Sequence, residues 1–248
     1  MFIDAHCHFN SLAGEKIDNI SSSCSNGYIF IDSSINLGTT AISLQLSSKF
    51  PFIYSAIGFH PFSANEFTEA TIAGYKKVLE ENKKIVAIGE IGLDEFAETA
   101  PCKQEEIFCR FLGLAKEFNL PVIIHNRISK PVVFDILDKY FSSYEKIIFH
   151  CFSYSSDMLD KITAKGGYAS FSLNILRKKK DIIESLKTVS LENMLLETDS
   201  PYMKINGQPS NPLDIKAVYA YAAEEKNLKI EEIENSVYSN AKKLFLFK

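Results

Sequence analysis

Two histidines one residue apart, His6 and His8, close a short apolar run, Phe2–His6. Three more histidines are placed in the same way. His60 follows Phe52–Ile57, His125 ends Val122–His125, and His150 ends Ile147–His150. Two acids share the pattern, Glu90 at the end of Ile85–Gly89 and Asp199 just past Met194–Glu197. Imidazole and carboxylate are ligands for divalent cations. A bound cation draws the pKa of its water toward neutrality, and a pair of cations can hold both the attacking and the leaving oxygen of a displacement. Side chains two apart on a strand face the same way, so His6 and His8 can grip one ion together. Glu90 can bridge two ions with its two oxygens, and His125 and His150 can take the second. Asp199 can bind the first ion and accept a proton from its water. Each residue alone also reads as a hydrogen-bonded rim group, and Asp199, ahead of Ser200-Pro201, as a turn former. The weight lies in the joint pattern, with six ligand-type residues on five strands, all at the same end.

The elements that must position them alternate regularly. Eight short apolar, β-branched runs are predicted as strands: Phe2–His6, Tyr28–Asp32, Phe52–Ile57, Ile85–Gly89, Val122–His125, Ile147–His150, Tyr168–Phe171 and Met194–Glu197. Between them lie segments of helical period. Lys103–Asn119 sets Ile107, Phe108, Phe111, Leu112, Leu114, Ala115 and Phe118 on one broad stripe, and Leu120-Pro121 stops it. Asn65–Glu81, Lys130–Phe141, Asp157–Lys165, Lys180–Val189, Leu213–Glu225 and Ile230–Leu244 behave similarly. Strands that are apolar throughout suit a parallel sheet covered on both faces. An open doubly wound sheet would carry a Gly-rich phosphate loop after its first strand, where this chain has His6-Cys7-His8. The expectation is an α/β protein, one (β/α)8 TIM barrel domain over residues 1–248, with the histidines and acids around the mouth at the C-terminal ends of its strands.

The totals agree. The 248 residues are 46% hydrophobic and 23% charged, an ordinary globular balance. The net charge of −4 lacks the basic excess of a protein that coats nucleic acid, so any contact with nucleic acid must be local. Five cysteines, an odd number with no C-x-x-C pair, and no secretory signal ahead of the first strand predict free thiols in a reducing, cytoplasmic setting. No apolar run approaches membrane-spanning length, and nothing points to a protein partner.

Several stretches resemble the TatD family of the amidohydrolase superfamily. They are Asp4-Ala5-His6-Cys7-His8, Gly58-Phe59-His60-Pro61, Gly89-Glu90-Ile91-Gly92-Leu93-Asp94, Leu120-Pro121-Val122-Ile123-Ile124-His125-Asn126-Arg127, His150-Cys151-Phe152 and Leu196-Glu197-Thr198-Asp199-Ser200-Pro201-Tyr202, with Asn240–Phe245 like the family's last helix. The resemblance spans residues 3–245. It implies a metal-dependent barrel hydrolase with two ions, one held by His6, His8, Glu90 and Asp199 and the other by Glu90, His125 and His150. Asp199 would be the general base, Glu90 the catalytic bridging ligand, and DNA the substrate, in some relatives with 3′→5′ exonuclease character. Imidazole-rich sites suit Zn, Mn, Co or Fe, while relatives are commonly assayed with Mg. The chain departs from the family at Glu95, where an aromatic is common, at His60-Pro61-Phe62 and at Ser210-Asn211-Pro212. The ligands are untouched by these departures, and the substrate contacts are not.

Beside the ligands, Arg127 is two residues past His125 and should face the mouth, where a guanidinium clamps a phosphate or pairs with Glu95. His60 is placed to orient a phosphate or protonate a leaving oxygen. Tyr202 and Phe152 stack on a base or line the rim. Cys7 and Cys151 read as packing. The basic run Arg177-Lys178-Lys179-Lys180 follows the seventh strand and either rims the mouth or starts a solvated helix. Competing with DNA hydrolysis are the same chemistry on a small phosphoester, lactone or amide, and a barrel that only binds.

Overall fold

In the computed structural model, which describes residues 1–24, 27–128 and 132–247, eight parallel strands stand in chain order around one axis. They are β1 Phe2–Cys7, β2 Tyr28–Ser33, β3 Ile53–Ile57, β4 Ile85–Asp94, β5 Val122–Arg127, β6 Ile147–Phe149, β7 Tyr168–Phe171 and β8 Met194–Leu196. The seam between β8 and β1 is closed beyond the end of β8. Asp199 N–H donates to His6 O (3.0 Å) and His8 N–H to Ser200 O (2.7 Å). The buried Asp4 carboxylate completes it, accepting Thr198 N–H at 2.9 Å and Thr198 Oγ–H at 2.6 Å. This is the (β/α)8 barrel that the alternation predicts.

Nine helices are found among the described residues: α1 Gly14–Ser23, α2 Leu37–Lys49, α3 Glu69–Glu81, α4 Pro101–Glu117, α5 Val132–Tyr140, α6 Ser156–Thr163, α7 Lys180–Thr188, α8 Ile215–Lys226 and α9 Ile230–Phe245. The first two residues of the helix expected over Lys130–Phe141 lie outside the described residues. The stripe of α4 buries Ile107, Phe108, Phe111 and Leu112. Each such side chain contributes about 1.5–3 kcal/mol by leaving water. Phe111 meets Tyr75 of α3 edge-on, with ring centroids 4.8 Å apart, and Phe59 beyond β3 at 6.0 Å.

Two features depart from expectation. Helices α1 and α2 are not among the expected segments; α1 buries only Ile17 and Ile20, and α2 carries no clear hydrophobic stripe. The buried face of α2 is Thr40, Ser43, Leu46 and Ser47, and its hydroxyls are satisfied by a ladder running Ser34–Thr40 (2.7 Å), Ser43–Ser55 (2.9 Å) and Ser55–Ser47 (3.1 Å). Strand β4 does not end at Glu90. It runs on to Asp94, with pairing to β5 irregular between Ile88 and Ile91. Glycines permit that irregularity. A Cβ on Gly58 would lie 2.5 Å from Glu90 O, and one on Gly92 (φ +148°) would lie 1.8 Å from His125 O. With no side chain in the way, the flanking strands close on β4 at the bulge and Glu90 is turned into the mouth.

Candidate active site

All six expected ligands converge at the C-terminal mouth. Glu90 is at the centre and its two oxygens face different partners. On one side His6 Nε2 and His8 Nε2 are 3.5 and 3.6 Å from Glu90 Oε2, and 3.8 and 3.5 Å from Asp199 Oδ1. On the other, His125 Nδ1 and His150 Nε2 are 2.7 and 2.8 Å from Glu90 Oε1. His60 Nε2 also approaches Glu90 Oε1, at 3.5 Å. Three groups, His6–Glu90–His150, His6–His8–Asp199 and His60–Glu90–His125, bring three ligand atoms within 4.8 Å of one another. Asp199 reaches its place through a left-handed backbone (φ +53°), which aspartate adopts more readily than most residues.

The outward ring nitrogens tell which of these histidines can ligate. His8 Nδ1 is 2.8 Å from Ser33 O, a carbonyl that can only accept, so Nδ1 carries the proton and Nε2 turns a lone pair inward. His125 Nε2 is 2.8 Å from Asp94 Oδ2, so its Nε2–H is held outside and Nδ1 faces the centre. Ser33 Oγ meets His6 Nδ1 at 3.0 Å. Glu197 Oε1 is 3.4 Å from His150 Nδ1, within ion-pair reach but off the line of a hydrogen bond. Carboxylates and carbonyls behind metal-binding imidazoles do this work of fixing tautomer and orientation. His60 has the opposite polarity. Its Nδ1 accepts Phe62 N–H at 3.1 Å, and a backbone N–H can only donate. The neutral His60 ring therefore carries its proton on Nε2, aimed at the centre, and acts there as a donor.

The electrostatics fit cations. Burial pushes the Glu90 carboxyl up, but His150, His60 and His125 reverse this and hold it well below the usual carboxylate range. Burial draws His150 down, and Glu90 with Glu197 outweighs that, leaving the ring well above its ordinary value. Burial also raises Asp199, and His8, His150 and His6 more than offset it, so it stays ionised. His60 is lowered, chiefly by burial. Ring nitrogens face each other at 3.1 Å (His6 with His8) and 3.2 Å (His125 with His150). Two inward lone pairs at that distance need a proton or a cation between them. The donor set of imidazole nitrogens and carboxylate oxygens, with outward protons anchored, fits divalent metal.

Around the centre lies a cleft of about 650 Å³, lined among others by His125, His150, Asp199, Arg127, Arg177 and Lys179. Arg127 is exposed and its guanidinium lies 4.4 Å from the Phe96 ring centroid; the backbone N–H of Glu95 donates to Arg127 O at 2.9 Å. Three exposed aromatics flank the centre: Phe96 (62% exposed), Phe62 (57%), whose ring is 5.1 Å from that of His60, and Tyr202 (54%), 4.8 Å from that of His8. Phe152 is fully buried and packs against Phe171 and Tyr154, so the base-stacking role considered for it is ruled out. Cys7 is buried, and burial lifts the Cys151 thiol to about 12, so both are packing groups. Sequence reasoning gave no role to Ser33, Asp94 or Glu197. The last two sit inside Gly-Leu-Asp and Leu-Glu-Thr-Asp, where acids just behind ligand positions were the available signal.

Comparison with known proteins agrees with this geometry. The family model described as TatD related DNase matches residues 3–246. An uncharacterized metal-dependent hydrolase of Methanocaldococcus jannaschii is 33% identical over 250 residues, covering 98% of this chain and 96% of the relative. A protein of Pantoea ananatis named 3′-5′ ssDNA/RNA exonuclease TatD is 28% identical over 223 residues, covering 84% and 85%. The crystal structure of the TatD homologue YjjV of Escherichia coli superposes with a TM-score of 0.90 at 26% identity, covering 100% of this chain and 98% of that one.

Proposed function

This chain belongs to the TatD related DNase family, and from that premise we propose that it is a nuclease, hydrolysing phosphodiester bonds in single-stranded DNA with two divalent ions at Glu90. It is a metal-dependent hydrolase. The finer reading is carried by one observation, the division of Glu90 between two ligand sets, with Oε2 facing His6, His8 and Asp199 and Oε1 facing His125 and His150. One ion belongs to each set. Bound there, the ions supply Lewis acidity toward the phosphate and acidify water at neutral pH.

The rest falls to side chains. Asp199, ionised and at the edge of the first ligand set, takes the proton of the attacking water as general base. His60 presents Nε2–H to a phosphate oxygen or to the departing one. Arg127, its guanidinium lying over the Phe96 ring, keeps its N–H groups for the phosphate. Exposed Phe62, Phe96 and Tyr202 offer faces on which unpaired bases stack, each worth about 1–3 kcal/mol and indifferent to sequence. Such stacking needs bases free of a duplex, which favours single strands, in keeping with the name of the Pantoea relative. The whole chain acts as one catalytic domain. Two-metal phosphodiester chemistry is preferred over lactone or amide hydrolysis because Arg127 and His60 are both donors suited to a phosphate.

The test is Asp199→Asn with metal analysis and assays on single-stranded DNA, with and without chelator. The expected result is hydrolysis lost by at least about 10³-fold with fold and most metal retained. Near-normal turnover in the variant, or chelator-resistant activity in the parent, refutes the proposal.

A further inference from the structure

The basic run Arg177–Lys180 is not used by the chemistry above. All four residues are exposed, and none makes an ion pair within 4 Å among the described residues. Among the described residues, Lys49, Lys76, Lys103, Arg110, Lys165 and Lys187 are the lysines and arginines that pair within 4 Å, so the missing partners are ordinary and it is the adjacency of four cations at the mouth that stands out. In a chain of net charge −4, four adjacent exposed cations beside the active-site mouth are a local concentration of positive charge.

Their arrangement is directional. Leu173–Arg177 forms a 3-10 turn after β7, and Lys178 caps it in a left-handed conformation (φ +54°) before α7 begins at Lys180. The reversal splits the run between two walls. Arg177 and Lys179 line the active cleft with His150 and Asp199. Lys178 and Lys180 line a neighbouring groove of about 480 Å³ between α7 and α8, where Lys178 Nζ lies 5.5 Å from the Tyr221 ring centroid. Glu184 and Glu225 also line that groove, and Glu225 holds Lys187 at 3.0 Å and feels Lys178, so three lysines against two glutamates leave it a modest positive excess at the Lys178–Lys180 end. A ridge of cations thus leads from the metal ligands over the rim to a second channel.

We propose that residues 177–180 form a track for the phosphate backbone of the strand leaving the cleft, so that the preferred substrate is a polynucleotide and not a dinucleotide or small diester. This rests on the nuclease reading above. Arg177 and Lys179 meet the phosphate next to the scissile one, and Lys178 and Lys180 meet those beyond it. A flexible single strand can follow the bend over the ridge, whereas a stiff duplex of persistence length about 150 bp cannot. The contacts are with phosphate alone, so the track raises affinity without reading sequence.

The experiment compares kcat/KM of the metal-loaded enzyme on a single-stranded 12-mer and on a dinucleotide, for the parent and for K178A/K180A. Each phosphate contact on a single strand contributes about 0.7 to the slope of log K against log salt. The parent should favour the 12-mer by at least about tenfold, and the double variant should lose most of that ratio. Between 50 and 200 mM salt, loss of two contacts should shrink the salt effect on 12-mer KM about sevenfold. A control with equal charge loss elsewhere, K49A/K76A, should keep the parent's slope. A parent whose kcat/KM is independent of length, or a ridge variant with unchanged ratio and slope, overturns the track while leaving the nuclease reading intact. Turnover of a chromogenic small diester with no cleavage of any DNA overturns both.

Discussion

Replacing Asp94 by asparagine should cost metal without removing a single proposed ligand. Asp94 is fully buried, with Oδ2 accepting His125 Nε2–H at 2.8 Å and Oδ1 accepting Phe96 N–H at 2.8 Å. Its backbone is fixed by Gln104 of α4, whose Oε1 accepts Asp94 N–H (2.9 Å) and whose Nε2–H donates to Asp94 O (3.0 Å). An asparagine placed there must keep its oxygen on Phe96 N–H, so its NH2 group faces His125 Nε2. Two donors cannot share that contact. The ring must move its proton to Nδ1, which then points at Glu90 Oε1, 2.7 Å away, and the inward lone pair is lost. Loss of such an outer partner lowers metal affinity about 10–100-fold, or about 1.4–2.7 kcal/mol. The assay is a chelator-competition titration of both ions, with the protonated nitrogen of His125 read by ¹⁵N NMR. The expected result is one weakened site with the first site near its parental affinity. Two sites within twofold of the parent, with Nε2–H still present in the variant, would falsify the tautomer argument.

Other expectations follow from single contacts. Gly92→Ala should destabilise by on the order of 4 kcal/mol in urea unfolding, since its Cβ would collide with His125 O; a loss under about 1 kcal/mol would show that β5 can yield. Arg127→Ala should lower kcat/KM on a DNA strand about 10–100-fold, and Arg127→Lys should recover only part, because an ammonium lacks the two-pronged edge; full rescue by lysine argues against a bidentate phosphate contact. Burial lifts the Asp32 carboxyl to about 6, and its Oδ2 has no hydrogen-bond partner among the described residues. The folded state of the metal-free protein thus holds a proton that the unfolded chain releases near 3.8. This contribution is complete below that pH and lost as pH rises through about 6. Asp32→Asn should match the parent near pH 4 and exceed it by up to about 3 kcal/mol at pH 7.5 in thermal or urea melts, and equal stabilities at pH 7.5 contradict this.

What was legible in the sequence was what hydrophobicity and donor chemistry write locally. The segment Tyr168–Phe171 is mostly apolar and bounded by Gly166-Gly167 and Ser172, and β7 has those bounds, buried on both faces, in the structure. The candidate ligands stood out because imidazole is rare and all five rings follow strands. Helix α2 was not legible, because its buried face consists mostly of Ser and Thr, which count as polar until the hydroxyl ladder that satisfies them is seen. The extension of β4 to Asp94 was hidden by Gly92, a residue that reads as a break and here serves as clearance. The opposite polarity of His60 was illegible in principle. It depends on Phe62 N–H lying 3.1 Å from Nδ1, a fact of backbone direction that composition does not carry.

That polarity bears on why the mouth can be so densely charged. Glu90, Asp94, Asp199 and Glu197 occupy one small volume, and isolated buried carboxylates there would be prohibitively costly. Among the groups facing one another, Glu90 and Asp94 are held below the usual range while His8, His125 and His150 are held above theirs. Without ions, then, protons on imidazoles supply the compensating charge. Divalent ions and those protons compete for the same inward lone pairs, and metal uptake must release protons into solution. The outer carboxylates at Asp94 and Glu197 do not join that exchange. Asp94, held below the usual carboxylate range, stays on His125 Nε2–H, and Glu197 stays behind His150, so the rings remain aimed while the inward nitrogens change partner, and the fold can present a formed site before any metal arrives.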